Sequence, residues 1–478
     1  MSQQSTPTAP DIRDPFPSST PEEQGLPSAA VTALVDRLER EGLEPHSLMV
    51  LRHGRLLAES FWAPYHPDGV QLLYSLSKSF TSTAAAFAEA EGLLDLSARA
   101  ASHLDEPAAG PRAASLTVHQ LLSMSTGHRV DTLDGMIGSA DPVAAFFAHE
   151  PEQEPGSCFV YNNGATYTVG AIVQRVTGMT LTDYLRPRLF EPLGIDNSAW
   201  LQWPAGRELG FSGLHLTTGA LARFGQLLLD DGRWHGEQLL PAGWVARASA
   251  PITDNSSHEG GVDWQQGYGY QYWRARHGFR GDGAYGQYVL VLPEEDAVVV
   301  ITSCQLDMQA VLDAVWEELL PAFTGGPLPA SADADTLRRS LSGAQIAAPA
   351  DVVEPASSGP WTFAHREGRE AARLTGVVVE EAGDGWQLTV REGDRELTIR
   401  CGRGVWPEVN GPWVARGGWT SPTTFEARIV AVQTPHHLLI RCDTDTGQVS
   451  TRWNGVPLHD QALSTQVAPP SIGSETSL

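Results

Sequence analysis

The chain has 478 residues, enough for one large or two ordinary domains, and 41% of them are hydrophobic, which is enough to bury a core. Its formal net charge of -25, with no local concentration of arginine to offset it, argues against nucleic acid and against an anionic membrane as partners. No apolar run reaches the roughly 18 residues of a membrane-spanning helix, and residues 1–25 lack the basic-then-apolar order of a signal peptide, so we expect a cytoplasmic protein.

The N-terminal part predicts a helix, a hairpin and a second helix. Residues 1–24 are rich in Ser, Thr, Pro and Gln and are predicted to form a disordered leader. Helical periodicity over 28–41 predicts a helix, and the apolar runs 47–53 and 56–62 around a Gly-Arg turn predict a β-hairpin. An Ala-rich stretch over 74–90 predicts the next helix.

Helices and loops alternate from there to about residue 243, and strands return near the end of this domain. The runs 288–292 and 297–302 around Pro-Glu-Glu-Asp predict a second hairpin, which leads into a helix over 308–320. Strands at both ends of residues 25–324, with helices between them, predict an α+β domain. Its single antiparallel sheet would join the N- and C-terminal strands and be flanked by helices.

The C-terminal part predicts a separate small domain. Residues 325–360 are rich in Pro, Ala, Ser and Gly around a short helical piece at 334–341, which is typical of a linker. Residues 361–460 alternate strands and turns with almost no helical period, so they predict a small all-β domain. The polar residues 461–478 are predicted to form a disordered tail.

Residue 78 is the only lysine among the 32 basic residues of the chain, the other 31 being arginines. An arginine stays protonated at every ordinary pH, so only a lysine can lose its proton and act as a neutral amine base. Ser75 stands three residues earlier, where the first turn of a helix would place hydroxyl and amine on one face. A Lys78 with a lowered pKa would then activate Ser75 as a nucleophile. The alternative is that a chain that avoids lysine kept one by accident.

A Tyr-x-Asn sequence supplies a partner for this pair. Tyr161-Asn-Asn163 lies between a Pro-Gly-Ser loop and a predicted helix over 165–176. Tyr161 would carry the proton to the leaving group, and Asn163 would hydrogen-bond Lys78. A buried Tyr beside a capping Asn is common in proteins, so the motif gains its weight from the Ser75 and Lys78 pair.

These residues belong to a series of five motifs, at 74–80, 121–128, 161–163, 216–225 and 281–288. In their order and spacing, residues 25–322 resemble the serine hydrolases of the penicillin-binding-protein and class C β-lactamase type, including family VIII carboxylesterases. The resemblance implies a β-lactamase/DD-peptidase-like fold.

For the site, the resemblance implies an acyl-enzyme on Ser75 with Lys78 and Tyr161 as the acid–base pair. It also implies an oxyanion hole made by the backbone N–H groups of Ser75 and Ala284, next to Gly283. It implies no cofactor.

The third motif departs from the family pattern, because Gly281-Asp282-Gly283 stands where members carry Lys-Thr-Gly or His-x-Gly. The carboxylate of Asp282 would repel the carboxylate of a β-lactam, which favours esters or neutral amides as substrates. Arg280 could restore a positive charge and bind a substrate carboxylate through a bidentate contact. The alternative is that Arg280 is a solvated arginine on a strand face.

Rival interpretations of other motifs are weaker. Gly281-x-Gly283-x-x-Gly286 fits a dinucleotide fingerprint, but a strand is predicted after it where that fingerprint needs a helix. Residues 123–127 resemble a nucleophile elbow without its first glycine, and we expect them to form a loop near the site. His436 and His437 would point to opposite faces of a strand, and no pattern of metal ligands is present, so we predict no metal.

Two residue classes leave open questions. The four cysteines stand singly, which favours reduced thiols over a disulfide framework. The aromatic residues between 264 and 273 could line an apolar substrate pocket or serve as ordinary strand packing.

The sequence therefore predicts a serine hydrolase that cleaves an ester or amide bond of a small molecule. Alternative functions are a peptidase or amidase acting on D-amino acids, a weak β-lactamase, and a non-catalytic binding or scaffold protein on the same fold. The small β domain could shape the rim of the active site, mediate homo-oligomer formation or brace the catalytic domain.

Overall fold

A computed structural model describes residues 16–104, 106–350, 353–365 and 373–470. The α-helices are α1 Ser28–Arg40, α2 Ser77–Ala90, α3 Pro111–Ser115, α4 Val118–Leu122, α5 Leu133–Met136, α6 Pro142–Phe147, α7 Asn163–Thr177, α8 Leu181–Leu185, α9 Thr218–Leu229, α10 Trp244–Ala248, α11 Met308–Glu318 and α12 Asp333–Ser342. The strands of the first domain are β1 Pro45–Arg52, β2 Arg55–Phe61, β3 Gln71–Leu72, β4 Ala199–Trp200, β5 Leu214–Leu216, β6 Arg233–Trp234, β7 Glu237–Gln238, β8 Trp273–Arg274, β9 Phe279–Gly283, β10 Gln287–Leu292 and β11 Ala297–Ser303. The strands of the second are β12 Trp361–His365, β13 Gly376–Ala382, β14 Gly385–Glu392, β15 Arg395–Arg403, β16 Trp413–Ser421, β17 Thr424–Ala431, β18 His437–Asp443 and β19 Gln448–Trp453.

A six-stranded antiparallel sheet forms the centre of the first domain, in the order β2-β1-β11-β10-β9-β8. The two predicted hairpins are the β1–β2 and β10–β11 pairs. Strand β1 lies beside β11 with Val50 opposite Val299, so the N- and C-terminal strands of the domain share one sheet, as the sequence predicts.

The two faces of this sheet pack against different helices. Successive side chains of a strand point to opposite faces, and β1 follows this rule. Leu48 and Val50 lie in the core cluster that contains the apolar side chains of α1 and α11. Met49 and Leu51 lie in the cluster that contains those of α2, α7 and α9. The helices that carry the predicted site residues are therefore on one side of the sheet.

The second domain is a closed barrel formed by β12–β19. Neighbouring strands are antiparallel except for the β15–β16 and β12–β19 pairs, which are parallel. Its interior is filled by large apolar side chains, among them the fully buried Trp386, Trp419 and Phe425. The predicted α+β class with a small C-terminal all-β domain is confirmed, and closure into a barrel is what the structure adds.

The predicted disordered leader is wrong for residues 16–24. Phe16 is buried, and a short 3-10 helix follows at Glu22–Gln24. The carboxylate of Glu22 accepts hydrogen bonds from the backbone N and the Oγ of Ser28, at 2.8 and 2.9 Å. A buried carboxylate that caps the first turn of α1 holds a polar segment in place. The rest of the predicted leader lies outside the described residues.

The predicted disordered tail is wrong for residues 461–470. Leu463 is fully buried, and its backbone N donates to the carboxylate of Glu392 at 2.6 Å. The indole nitrogen of Trp413 donates to the carbonyl of Leu463 at 3.0 Å. The anchoring residues belong to distant barrel strands, so the local polar composition gives no sign of them. Residues 471–478 lie outside the described part of the chain.

The segment between the two domains is packed against both of them. Its predicted helical piece is α12, whose Leu337 belongs to the core cluster of α1. Ile346 is 2% exposed, and its carbonyl accepts a hydrogen bond from the indole nitrogen of Trp406 at 3.1 Å. The segment therefore holds the domains together, while the exact domain boundaries stay a prediction.

Two further findings bear on the sequence predictions. Among the described residues, no helix combines the length and the apolar character that crossing a membrane requires. The four cysteines all lie in the described part of the chain, and none forms a disulfide.

Candidate active site

Ser75 lies in a short 3-10 helix, Tyr74–Leu76, that leads directly into α2. It is half-buried, while every other residue between 71 and 80 is buried. The preceding residue, Tyr74, has a φ of 48°, a left-handed conformation that a bulky residue adopts only under constraint. The turn therefore presents one hydroxyl to solvent from an otherwise buried helix start.

Lys78 lies one turn further along α2 and is 1% exposed. Its Nζ donates to Ser75 Oγ at 2.9 Å, to Asn163 Oδ1 at 2.7 Å and to the carbonyl of Phe211 at 2.9 Å. Burial lowers the pKa of Lys78 to about 7, although the negative charges of Asp131 and Asp282 act in the opposite direction. Close to neutral pH the amine can therefore both give up and take up a proton.

Asn163 is the first residue of α7, and Asp131 fixes its orientation. Asn163 Nδ2 donates to Asp131 Oδ2 at 2.6 Å, and its backbone N donates to Asp131 Oδ1 at 2.8 Å. The amide oxygen of Asn163 must then face Lys78. Asp131 thus holds an acceptor beside the amine and supplies a negative charge close to it. No motif or spacing in the sequence indicates that Asp131 belongs to this site.

Tyr161 packs against Lys78, whose Nζ is 4.7 Å from the centre of the Tyr161 ring. The ring stacks on Trp273 with 5.4 Å between centroids. Burial raises the pKa of Tyr161 well above 10, and an interaction with the Ser75 side chain only partly offsets this. The phenol is therefore protonated and is a proton donor in its resting form.

The aromatic residues between 264 and 273 are packing residues. Trp264, Tyr268, Tyr272 and Trp273 are 9% exposed or less, and Trp273 packs edge-on against Tyr268. Of the two interpretations that the sequence left open, strand packing is the one observed. Through Trp273, this cluster also holds the ring of Tyr161 in place.

The third motif brings the end of β9 against the turn that carries Ser75. A Cβ atom at Gly283 would lie 2.0 Å from the carbonyl oxygen of Leu73 and 3.1 Å from the backbone N of Leu76. Only glycine permits this approach. Ala284, the next residue, is half-buried beside it. Strand β10 follows the motif, which agrees with the rejection of a dinucleotide fingerprint.

Asp282 and Arg280 form a buried ion pair, in which Arg280 Nε lies 2.9 Å from Asp282 Oδ2. The guanidinium is fully buried, donates to the carbonyl of Asp263 at 2.9 Å, and lies 4.5 Å above the ring of Trp264. Burial raises the pKa of Asp282, and Arg280 and Lys78 oppose this.

The interpretation of Arg280 as a solvated arginine is therefore wrong. The sequence left open whether an arginine offsets the negative charge of Asp282, and the structure pairs this carboxylate with Arg280. Substrate binding by either residue stays a prediction.

The barrel domain reaches this site through two histidines that sequence reasoning did not assign to it. His436 Nδ1 lies 2.7 Å from the carbonyl of Gly455, and its Nε2 lies 2.5 Å from the hydroxyl of Tyr74. A carbonyl only accepts, so Nδ1 carries the proton and Nε2 accepts from Tyr74. Burial lowers the pKa of His436 to about 3, which keeps the ring neutral. His459, further along the chain, lies 2.8 Å from Ser212 through its Nε2.

His437 belongs to a different group, which joins the two domains. Among the described residues, Glu44, His46 and His437 have potential metal-ligand atoms within 4.8 Å of one another. However, Arg428 Nη1 lies 2.8 Å from Glu44 Oε2, and Asn454 Nδ2 lies 2.7 Å from Glu44 Oε1. A guanidinium at this position supplies the positive charge that a metal would bring. We therefore interpret the group as an ion-pair cluster.

Replacing Glu44 by Gln is expected to destabilise the protein, because the half-buried Arg428 would lose its counter-charge and the buried His437 would lose the carboxylate that lies 2.9 Å from its Nδ1. The expected loss is about 3–5 kcal/mol in the free energy of unfolding at neutral pH. The exposed Glu41, which pairs with Arg37 on the surface, gives a matched control: Glu41→Gln should cost less than about 1 kcal/mol. Denaturant unfolding followed by tryptophan fluorescence measures both.

The same cluster predicts how stability depends on pH. Burial alone would raise the pKa of Glu44, but His437, His46 and Arg428 together hold it well below its usual range. A carboxyl with a lowered pKa in the folded state stabilises above its unfolded pKa of about 4 and loses this contribution as the pH falls below it. The difference between wild type and Glu44→Gln should therefore shrink in acid. A difference that grows in acid would contradict the ion-pair interpretation.

The chain is similar to several known proteins. A family model described as Beta-lactamase matches residues 27–320. The chain is 28% identical to the 6-aminohexanoate-dimer hydrolase of Paenarthrobacter ureafaciens, over 60% of this chain and 79% of that protein. It is 31% identical to the lovastatin esterase of Penicillium rubens, over 30% and 42% respectively. The octameric penicillin-binding protein homologue from Pyrococcus abyssi has a TM-score of 0.50 at 16% identity, covering 89% of this chain and 97% of that one. This last likeness shows the fold alone.

Proposed function

Because the chain belongs to the Beta-lactamase family, with the family match over residues 27–320, we propose that it cleaves an ester or amide bond of a small molecule through an acyl-enzyme on Ser75. Relatives named as a dimer hydrolase and an esterase support the hydrolase class. Intact Ser75, Lys78 and Tyr161 argue against a binding or scaffold protein on the same fold.

The environment of Lys78 is the observation that carries the proposal. Its Nζ is 2.9 Å from Ser75 Oγ, and burial brings its pKa to about 7. An amine that is half-deprotonated near neutral pH and in contact with a serine hydroxyl is a general base for that serine. A purely structural lysine would have kept a salt-bridge partner, but Lys78 contacts one amide oxygen, one carbonyl and one hydroxyl.

Acylation follows from this arrangement. Ser75 Oγ attacks the scissile carbonyl carbon as its proton passes to neutral Lys78, and the carbonyl becomes an oxyanion. The backbone N–H groups of Ser75 and Ala284 are proposed to stabilise this charge, a contribution typically worth about a hundredfold to a thousandfold per donor. The protonated phenol of Tyr161 then gives its proton to the leaving oxygen or nitrogen, the carbonyl's bond to it breaks, and Lys78 reprotonates Tyr161.

Deacylation uses the same groups in the reverse order. Tyr161 is protonated in its resting form, so we assign water activation to Lys78 with Tyr161 as the relay. Water attacks the acyl carbon, its proton moves through Tyr161 to Lys78, and Ser75 leaves with a returned proton. The acid product then departs.

Esters are the substrates that this site supports best. An alkoxide or phenolate leaves more readily than an amide nitrogen. Ester cleavage therefore depends less on protonation of the leaving group by Tyr161. Within the described part of the chain, the third motif offers no free cation for a β-lactam carboxylate, because the positive charge of Arg280 is buried against Asp282. Asp282 and Arg280 would then shape the pocket and its electrostatics.

A fluorophosphonate probe tests this function. The wild-type protein is expected to gain the mass of one adduct, which peptide mapping should place on Ser75. It should also hydrolyse p-nitrophenyl esters faster than p-nitroanilides and faster than a chromogenic β-lactam. Absence of any adduct, or an adduct on another residue, would contradict the proposal. Faster cleavage of the β-lactam would contradict the substrate preference.

Two predictions about the whole protein remain proposals. Homo-oligomer formation was predicted as an option, and an octameric protein is among the structures with this fold; light scattering of the purified protein measures its mass in solution. The predicted cytoplasmic location can be checked by fractionation of the source cells.

A further inference from the structure

Residues 455–459, which follow β19, cross from the barrel to the catalytic domain; we call them the C-terminal strap. A Cβ atom at Gly455 would lie 2.8 Å from Cys304 Sγ and 2.8 Å from the ring of Tyr285. The hydroxyl of Tyr285 donates to the carbonyl of Val456. The strap is therefore pressed against the catalytic domain at its start, and only glycine fits there.

The strap also contacts the residue that precedes the nucleophile. The backbone N of Leu458 donates to the hydroxyl of Tyr74 at 3.4 Å, and this hydroxyl donates to His436. The ring of His459 stacks on the ring of Tyr74, with 5.5 Å between centroids and 27° between planes. Three residues of the barrel side thus converge on Tyr74 and place the end of the strap next to the nucleophile turn.

His459 lies near Lys78, next to Phe211. Lys78 Nζ lies 4.7 Å from the centre of the Tyr161 ring and 5.8 Å from that of Phe211. His459 lies beyond Phe211, 6.5 Å from its ring, and Nε2 contacts Ser212 Oγ at 2.8 Å. The amine of Lys78 therefore has two aromatic neighbours, the ring of Tyr161 and the ring of Phe211, and His459 lies next to the second of them.

His459 as a residue is exposed, whereas its ring stacks on Tyr74 and is uncharged at neutral pH. Desolvation by the surrounding protein atoms, together with the positive charge of Lys78, lowers the pKa of His459 to about 4. Its neighbours on the strap, Val456 and Leu458, are 47% and 61% exposed. The strap thus combines exposed apolar surface with an imidazole whose second nitrogen is not used by Ser212.

We propose that His459 is a specificity-determining residue that hydrogen-bonds an uncharged polar group in the acyl part of the substrate. This inference rests on the proposed function, in which Tyr161 protonates the leaving group. The leaving group then lies next to Tyr161, and we place the acyl group toward the other aromatic neighbour of Lys78, Phe211, and the adjacent His459. An amide suits either tautomer of the ring, because it offers both an N–H donor and a carbonyl acceptor.

The test compares p-nitrophenyl esters of three acids in the full-length protein: acetate, hexanoate and N-acetyl-β-alanine. The last two acyl chains have matched lengths and differ in the amide. His459→Ala should lower kcat/KM about tenfold more for the N-acetyl-β-alanine ester than for the acetate, the range of one hydrogen bond. The hexanoate should lose less. The change should be mainly in KM, since this contact is made in the ground state and the transition state alike.

Two further variants keep the test falsifiable. His459→Asn retains a donor and an acceptor and should recover part of the loss, whereas His365→Ala, on strand β12 of the same barrel, should change none of the three esters. An equal fall for all three with His459→Ala would show that the histidine only braces Tyr74 and would overturn the inference. No change for any ester would overturn it as well. A wild type that hydrolyses no ester would instead refute the proposed function.

Discussion

The Ser75→Ala variant is expected to fold like the wild type and to lose ester hydrolysis by a factor on the order of 10⁶ in kcat, the scale observed when a serine nucleophile is removed. The half-buried Ser75 hydroxyl accepts one of the three hydrogen bonds of Lys78, and the methyl group of alanine fits in its place. The fluorophosphonate adduct should disappear in parallel. Initial rates with a p-nitrophenyl ester and intact-protein mass spectrometry measure the two effects.

Ser125 provides the matched control, because it stands at the serine position of the rival elbow-like motif. Ser125 is buried, and its Oγ is hydrogen-bonded to Ser123 Oγ at 2.9 Å. The hydroxyl therefore has no access to substrate. Ser125→Ala should keep both the adduct and the hydrolysis. An adduct that persists in Ser75→Ala, or that vanishes in Ser125→Ala, would show that the nucleophile has been assigned to the wrong motif.

The Lys78→Arg variant is expected to lose about 10³-fold in kcat/KM, within the usual range for a general base. Arginine keeps the positive charge but cannot give up its proton at any working pH. In the wild type, the pKa of Lys78 of about 7 predicts a profile in which kcat/KM falls with decreasing pH below 7 and levels off above it. The sign follows from the role, because the neutral amine is the active form and the ammonium is not.

Asp131→Asn tests whether the fall of kcat/KM below pH 7, the acidic limb of the profile, reflects protonation of Lys78. The negative charge of Asp131 raises the pKa of Lys78, so its removal should move the limb to lower pH, while the amide oxygen introduced by the substitution can still accept from the Asn163 side chain. A limb that stays in place would assign the titration to another group. Retention of full activity by Lys78→Arg would contradict the base role altogether. Circular dichroism and thermal melting establish that each variant is folded.

Most of the correct predictions rest on short-range sequence patterns, in which residues a few positions apart determine a hairpin or a helix face. The hairpins at β1–β2 and β10–β11 follow from alternation and turn residues, which act over a few positions. The pairing of Ser75 with Lys78 follows from helical geometry, because residues three apart lie on one face. The resemblance to one family, which the family match confirms, then joined these local features to Tyr161 and Asn163.

Predictions failed where one buried charged residue decides the outcome. The leader and the tail were predicted to be disordered from their polar composition, yet Glu22 and Glu392 each bind backbone N–H groups and order these segments. Arg280 was predicted to contact either solvent or substrate, yet it is paired with Asp282 inside the domain. The composition of a segment describes the average polarity of its residues. One buried charged residue can fix the position of such a segment through a few contacts, and the average does not show this.

The sequence by itself determined the family, the nucleophile candidate and its candidate base, because a single lysine in the whole chain and its fixed spacing to Ser75 are visible without any structure. Only the tertiary structure decided what surrounds that lysine and how the barrel takes part. The carbonyl of Phe211, the carboxylate of Asp131 and the ring of His459 come from segments far apart in the chain. Their convergence depends on how loops and domains pack, and this packing leaves no periodic trace in the sequence.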